Sequence, residues 1–206
     1  MNPVPSGPNE RASDEALWQE SQRGDGQAFV LLYERHAKTI YNYLFRRLAD
    51  WSEAEDLTAV VFLEAFRRRG DAVVVEGRLL PWLYGVATNV LRNRRRAQWR
   101  HREALAQLSH ERGHDESDAA SRADAAEQMR MMLKRISTLP RAQQDVVALC
   151  LLSGVSYEDA ATALRVPVGT IRSRVSRARE SLVELNGSRG HMRVDVELGQ
   201  ERMAEK

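Results

Sequence analysis

Apolar positions along this chain recur mostly at three- and four-residue intervals, the pattern of helices with one buried face. The clearest run is Phe29, Leu32, Tyr33, His36, Ile40, Tyr43, Leu44 and Leu48, with Arg35, Lys38, Arg46 and Arg47 mostly off that face. Upstream, a short helix is expected over Asp14–Gln22, capped by Ser13 or Asp14 and broken by Gly24-Asp25-Gly26. Trp51-Ser52 begins the next helix, where Ser52 and Glu55 match a capping box, and it ends near Arg69-Gly70. Asp71–Gly77 reads as a loop with a β-like run, Val73-Val74-Val75. A fourth helix is expected from about Leu79 to Arg102, apolar on Leu79, Leu83, Val86, Ala87 and Val90. Pro81 fits only a first turn and so fixes its start.

Beyond a polar stretch, Met129, Met132, Leu133 and Ile136 mark a helix over Glu127–Ser137. Pro140 opens another, which carries Val146, Val147, Leu149, Cys150 and Leu151 and stops at Gly154. Ser156–Leu164, a turn at Arg165-Val166-Pro167, and Val168–Leu185 then read as helix, turn, helix. Arg193–Leu198 alternates and would suit a short strand beside a partner. The sum is an all-α chain of two small helical domains joined by a flexible linker. The expected divisions are a disordered tail over 1–13, a first domain over 14–103, a linker over 104–126, a helix-turn-helix domain over 127–186 and a C-terminal tail over 187–206.

Composition narrows the class. Of 206 residues 43% are hydrophobic, enough for packed cores, and no apolar run approaches the length of a membrane span. The N-terminus lacks the charged and apolar regions of a secretory signal. One cysteine, Cys150, excludes an internal disulfide framework and suits a reducing cytoplasm. The net charge of +2 hides segregation: Asp50–Glu64 carries five acids and no base, while Arg78–Arg102 carries seven arginines and Arg165–Arg179 five, neither with an acid. Clustered charge of this kind is a binding footprint.

The last helix pair carries the most specific chemistry. Ile171, Val175, Ala178 and Leu182 fall at i, i+4, i+7 and i+11, which turns Arg172, Ser173, Arg174, Ser176, Arg177 and Arg179 away from the core. Guanidinium and hydroxyl donors on such a rod can reach phosphates and base edges in a major groove. On the fourth helix Thr88, Arg92, Arg95 and Trp99 form a stripe flanked by Asn89 and Arg96; amides, guanidiniums and an aromatic ring together suit unpaired bases. His110-Glu111-Arg112-Gly113-His114 fits the zinc-protease pattern, but Gly113 and polar flanks deny it the stable helix that mechanism needs. No metal, cofactor or catalytic set is expected.

In this order the motifs resemble the extracytoplasmic-function (ECF) group of bacterial RNA polymerase sigma factors, in the sigma-70 family. Gly24-Asp25-Gly26-Gln27-Ala28-Phe29 with Leu32–His36, Ala54–Thr58 with Val61–Phe66, and Pro81–Asn89 with the following arginines are similar to region 2. Leu139-Pro140 and Gly169–Arg179 are similar to region 4. The resemblance implies a non-enzymatic factor that binds core RNA polymerase, selects promoters and helps open them. It implies that Glu55, Asp56, Leu57 and Val61 meet the clamp helices of the large subunit, while the second large subunit's flap is a further contact. Thr88, Asn89, Arg92, Arg95 and Arg96, with the loop Gly70–Arg78, would bind and open the minus-ten element. Thr170, Arg172, Ser173, Arg174 and Arg177 would read the minus-thirty-five element. An anti-sigma partner, promoter DNA and a cytoplasmic location belong to the same expectation. The chain departs from the pattern at Ala59-Val60, where the family has polar residues, and in its valine-rich loop. The alternative reading is a helix-turn-helix regulator that acts without replacing sigma; it would bind duplex DNA tightly on its own.

Overall fold

The structure is a computed structural model. It describes residues 12–72, 74, 76–106 and 120–187, with side chains of 101–106, 120–125 and 184–187 left aside. The His110–His114 motif, most of the expected linker, Val73 and Val75, the Arg193–Leu198 segment and nearly all of both tails lie outside the described residues. Eight α-helices are described: α1 (Asp14–Gln22), α2 (Gly26–Leu48), α3 (Trp51–Arg67), α4 (Leu80–Ala106), α5 (Ala120–Ile136), α6 (Arg141–Val146), α7 (Tyr157–Leu164) and α8 (Val168–Gly187). A 3-10 turn at Arg69–Asp71 follows α3, and a π-type segment, Val147–Leu152, continues α6.

Local chemistry sets the helix ends. Ser13 caps α1 through Ala16 N–H, and Asp25 caps α2 through Gln27 and Ala28 N–H. The cap of α3 is Asp50, not Ser52: its carboxylate accepts from Glu53 N–H at 2.8 Å, so the helix begins one residue before the expected box. Pro81 stands second in α4, where its missing N–H costs nothing.

Asp14 serves a different purpose from the capping role open to it. Its carboxylate accepts from Arg35 at 2.7 Å and Leu79 N–H at 3.2 Å, and lies 2.8 Å from His36 Nε2, tying α1 to α2 and to the start of α4. Burial pushes this carboxyl upward, but the hydrogen bonds from His36 and Arg35 outweigh it and hold the group well below the usual carboxylate range. Because the unfolded carboxyl titrates near ~3.9, the resulting stability is complete above that value and drains away as pH falls below it. Asp14→Asn is therefore expected to flatten the fall in melting temperature below about pH 4. A slope identical to that of the unsubstituted protein would remove Asp14 as its source.

The helical regions expected from the sequence are present, but they share one apolar core. Tyr43, Leu44, Leu83 and Ala87 from the first four helices lie in the same cluster as Val146, Leu149, Ala160 and Ile171 from the last four. A smaller cluster of Ile136, Leu139, Val147 and Ala178 lies under α5 and α8. α4 packs tightly on α7 at Gly85. A methyl at Gly85 would stand 2.8 Å from the Ala163 carbonyl oxygen, so only glycine admits this crossing. Gly85→Ala should force the helices apart and cost about 1–3 kcal/mol. Thermal unfolding measures this, and an unchanged midpoint would argue against the close packing.

Candidate nucleic-acid interface

Ser156 caps α7 by accepting from Asp159 N–H at 3.0 Å. The Asp159 carboxylate accepts from Arg78 at 2.8 Å, across to the loop before α4. Arg165, at a φ of 54°, ends α7 in the left-handed region and turns the chain into α8. Ile171, Val175 and Ala178 are wholly buried, which fixes the rotation of α8. Arg172, Ser173, Arg177 and Arg179 are exposed as a result, with Thr170 and Arg174 half-buried beside them. Ser173 Oγ donates to the Thr170 carbonyl at 3.1 Å, so its proton is already used within the helix.

The α4 stripe divides into three kinds of residue. Thr88 is 1% exposed and joins the core: its hydroxyl donates to the Tyr84 carbonyl at 2.8 Å and lies 2.9 Å from Tyr43 Oη. It offers no side chain to a nucleic acid, because α2 covers it. Asn89 and Arg96 are exposed, and Trp99, 63% exposed, leaves a ring open for stacking. Asn89 also sits at a groove of about 460 Å³ between α3 and α4, beside Asn93, Arg94 and Arg100. Arg92 and Arg95 are engaged from α6. Arg92 donates to Asp145 at 2.7 Å and Arg95 to Gln144 Oε1 at 3.2 Å.

Asp145 is the centre of this contact and was not singled out from the sequence. It is 4% exposed and accepts from both Arg92 and Arg47. Arg47, 5% exposed, donates to Asp145 at 3.0 Å and to the Gln144 carbonyl at 2.9 Å. Arg47 thus stands on the buried face of α2, not off it. Its position four residues after Tyr43 and three after Leu44 was the available signal. Burial, followed by the nearby Arg47 and Arg141 guanidiniums, pulls Arg95 below the usual arginine range. One carboxylate serves several cations here.

The acidic start of α3 also splits. Glu55 and Asp56 are exposed, but Leu57 and Val61 are buried against the core and present nothing to a partner. Along the exposed face, Asp56 is followed by Ala59, Val60 and Leu63 at helical spacing. Arg94 pairs with Glu53, joining α4 to this helix. Cys150 lies half-buried, and burial pushes its thiol up to about 11, so the thiolate is scarce at neutral pH. Among the described residues no helix is long and apolar enough to cross a membrane, and no group of three or more His, Cys, Asp or Glu could hold a metal ion.

Two family models match the chain: "Sigma-70 region 2" over residues 32–101 and "Sigma-70, region 4" over residues 129–182. The RNA polymerase sigma-H factor of Pseudomonas aeruginosa is 32% identical over 182 residues, spanning 82% of this chain and 91% of that protein. The ECF RNA polymerase sigma-E factor of Escherichia coli strain K12 is 31% identical over 186 residues, spanning 84% and 94%. The solved structure of CnrH in complex with the cytosolic domain of CnrY shares the fold, with a TM-score of 0.62 and 18% identity over 87% of this chain and 100% of that one. With α8 presenting its arginines from a capped helix-turn-helix and α4 its exposed amide and indole, the chain belongs to the ECF group of sigma factors in the sigma-70 family.

Proposed function

We propose that this alternative sigma factor contacts core RNA polymerase through the exposed acidic and apolar face of α3, centred on Glu55, Asp56 and Val60. It reads the upstream promoter element with Arg172, Arg174 and Arg177 of α8, helped by Thr170 and Ser173. It opens the minus-ten element with Asn89, Arg92, Arg95 and Arg96, Trp99 stacking on a displaced base and the α3–α4 groove receiving it. The single observation that carries this reading is the rotation of α8: three fully buried apolar side chains leave Arg172, Arg177 and Arg179 outward. Two weak DNA modules on one chain reach useful affinity through effective concentration, which suits a factor that acts only when mounted on polymerase. The factor does no chemistry of its own, works in the cytoplasm, and has an anti-sigma protein as its regulator.

Arg92 and Arg95 are occupied by Asp145 and Gln144, so the arrangement described is a resting one. Opening a promoter requires α6 to release α4. The test is transcription by sigma-free core polymerase on pooled genomic fragments, with starts mapped. New starts that share two upstream motifs are expected only when the protein is added. No new starts, together with tight duplex binding by the protein alone, would point to a regulator that does not replace sigma. Asp56→Arg should weaken holoenzyme assembly about tenfold without changing the melting temperature. Unchanged assembly would remove α3 from the polymerase interface.

A further inference from the structure

Between the two helical regions lies a second concavity, which shares only Arg95 with the promoter and polymerase assignments. Its volume is about 300 Å³, at the small end for ligand sites. Four cations line it, Arg47 and Arg95 from α2 and α4, and Arg130 and Lys134 from α5; no carboxylate does. Arg130 has Glu127 at 3.0 Å and Arg47 shares Asp145, but Lys134 has no acidic partner among the described residues. Arg47, which lines the cavity, keeps its Nε buried without a hydrogen-bond partner. The rest of the lining is mostly apolar, Leu48, Leu133, Ile136, Ala148 and Leu152, with Ser137 and Gln144 among them.

Four cations around a cavity whose lining carries no acid favour an anion, and phosphate offers several acceptor oxygens for converging donors. The apolar wall asks for more than a bare ion. A peptide helix, about 10–12 Å across, exceeds the space, as does a nucleic-acid duplex. At ~30 Å³ for each water-sized group, the cavity admits roughly ten heavy atoms. We propose that this cavity is a binding site for a small phosphate-bearing molecule with an apolar body, its phosphate held by Arg47, Arg95, Arg130 and Lys134 and its body against Leu133, Ile136 and Leu152. The inference goes beyond the sigma-factor reading and holds whichever residues meet the promoter. Because α2 and α4 form one wall and α5 with the π-type segment the other, occupancy holds the two regions together.

The test uses the full chain at constant ionic strength with phenyl phosphate, inorganic phosphate and benzyl alcohol as probes. Phenyl phosphate should raise the melting temperature saturably, and more than either fragment. Lys134→Gln and Arg95→Gln should each weaken its binding about tenfold by calorimetry, one charge-assisted hydrogen bond being lost. Arg23→Gln, an exposed arginine of the turn after α1, should leave it unchanged. Lys134 is exposed, so its variant folds and the reading stays testable even if Arg95→Gln unfolds. Equal binding by the unsubstituted and Lys134→Gln proteins, or a shift with single-stranded oligonucleotide but none with phenyl phosphate, would overturn the proposal.

Discussion

Asp145→Ala is expected to destabilise the folded protein by about 3–5 kcal/mol, the usual cost of removing one partner from a buried ion pair. The penalty arises from what remains. Arg47 keeps its hydrogen bond to the Gln144 carbonyl but stays buried with its charge uncompensated. Arg92 contributes little of the loss, because its side chain is 44% exposed and water can replace the carboxylate. Three variants separate these effects in denaturant titrations. Asp145→Asn should fall between, since an amide oxygen still accepts. Arg92→Ala should cost less than about 1 kcal/mol. The pair Arg47→Met with Asp145→Leu should recover most of the stability, because apolar side chains can fill a buried ion-pair site without desolvating charge. An Asp145→Ala cost below 1 kcal/mol would mean the pair is solvated in solution and the two regions are not clasped there.

The second large effect is on promoter choice. Arg172→Ala and Arg174→Ala should each cost about 1–3 kcal/mol of discrimination at particular positions of the upstream element, the value of a guanidinium on a guanine edge. The two need not be equal. Arg174 is half-buried, so its stem is already ordered by packing, whereas Arg172 stands free and must be ordered on binding. Competition transcription on promoters altered one base at a time resolves this. A loss spread evenly over all sequences would assign both residues to phosphate and leave base reading to neighbours.

Much of this was legible in the sequence, and each miss has its own physical cause. The rotation of α8 followed from the spacing of Ile171, Val175 and Ala178, because a helix buries whatever stripe is apolar. The same rule applied to α3 places Ala54, Leu57, Thr58, Val61, Phe62 and Ala65 inward, as observed. Leu57 and Val61 were assigned to polymerase by family resemblance against their own period. Thr88 failed for another reason. Its stripe partners Arg92, Arg95 and Trp99 are polar or amphipathic, but Tyr43, the group that covers it, comes from α2, 45 residues away. The Asp50 cap displaced Ser52 because two acceptors two residues apart compete and local sequence does not rank them. The shared core was invisible because nothing local in Arg47 announces a carboxylate 98 residues downstream.

That separation has a consequence for how the protein is made. Ribosomes add about 5–20 residues per second, so the 98 positions between Arg47 and Asp145 take roughly 5–20 seconds to synthesise. Arg47 stays unmatched for that interval; Arg92 precedes Asp145 by 53 positions, so for about 3–10 seconds it and Arg95 are unoccupied, with Gly85 not yet covered by α7. The nascent chain passes through a period in which the segment assigned to DNA opening is accessible, and it loses that access when α6 is complete. Newly made and mature molecules thus differ in what they can bind, on a timescale set by translation.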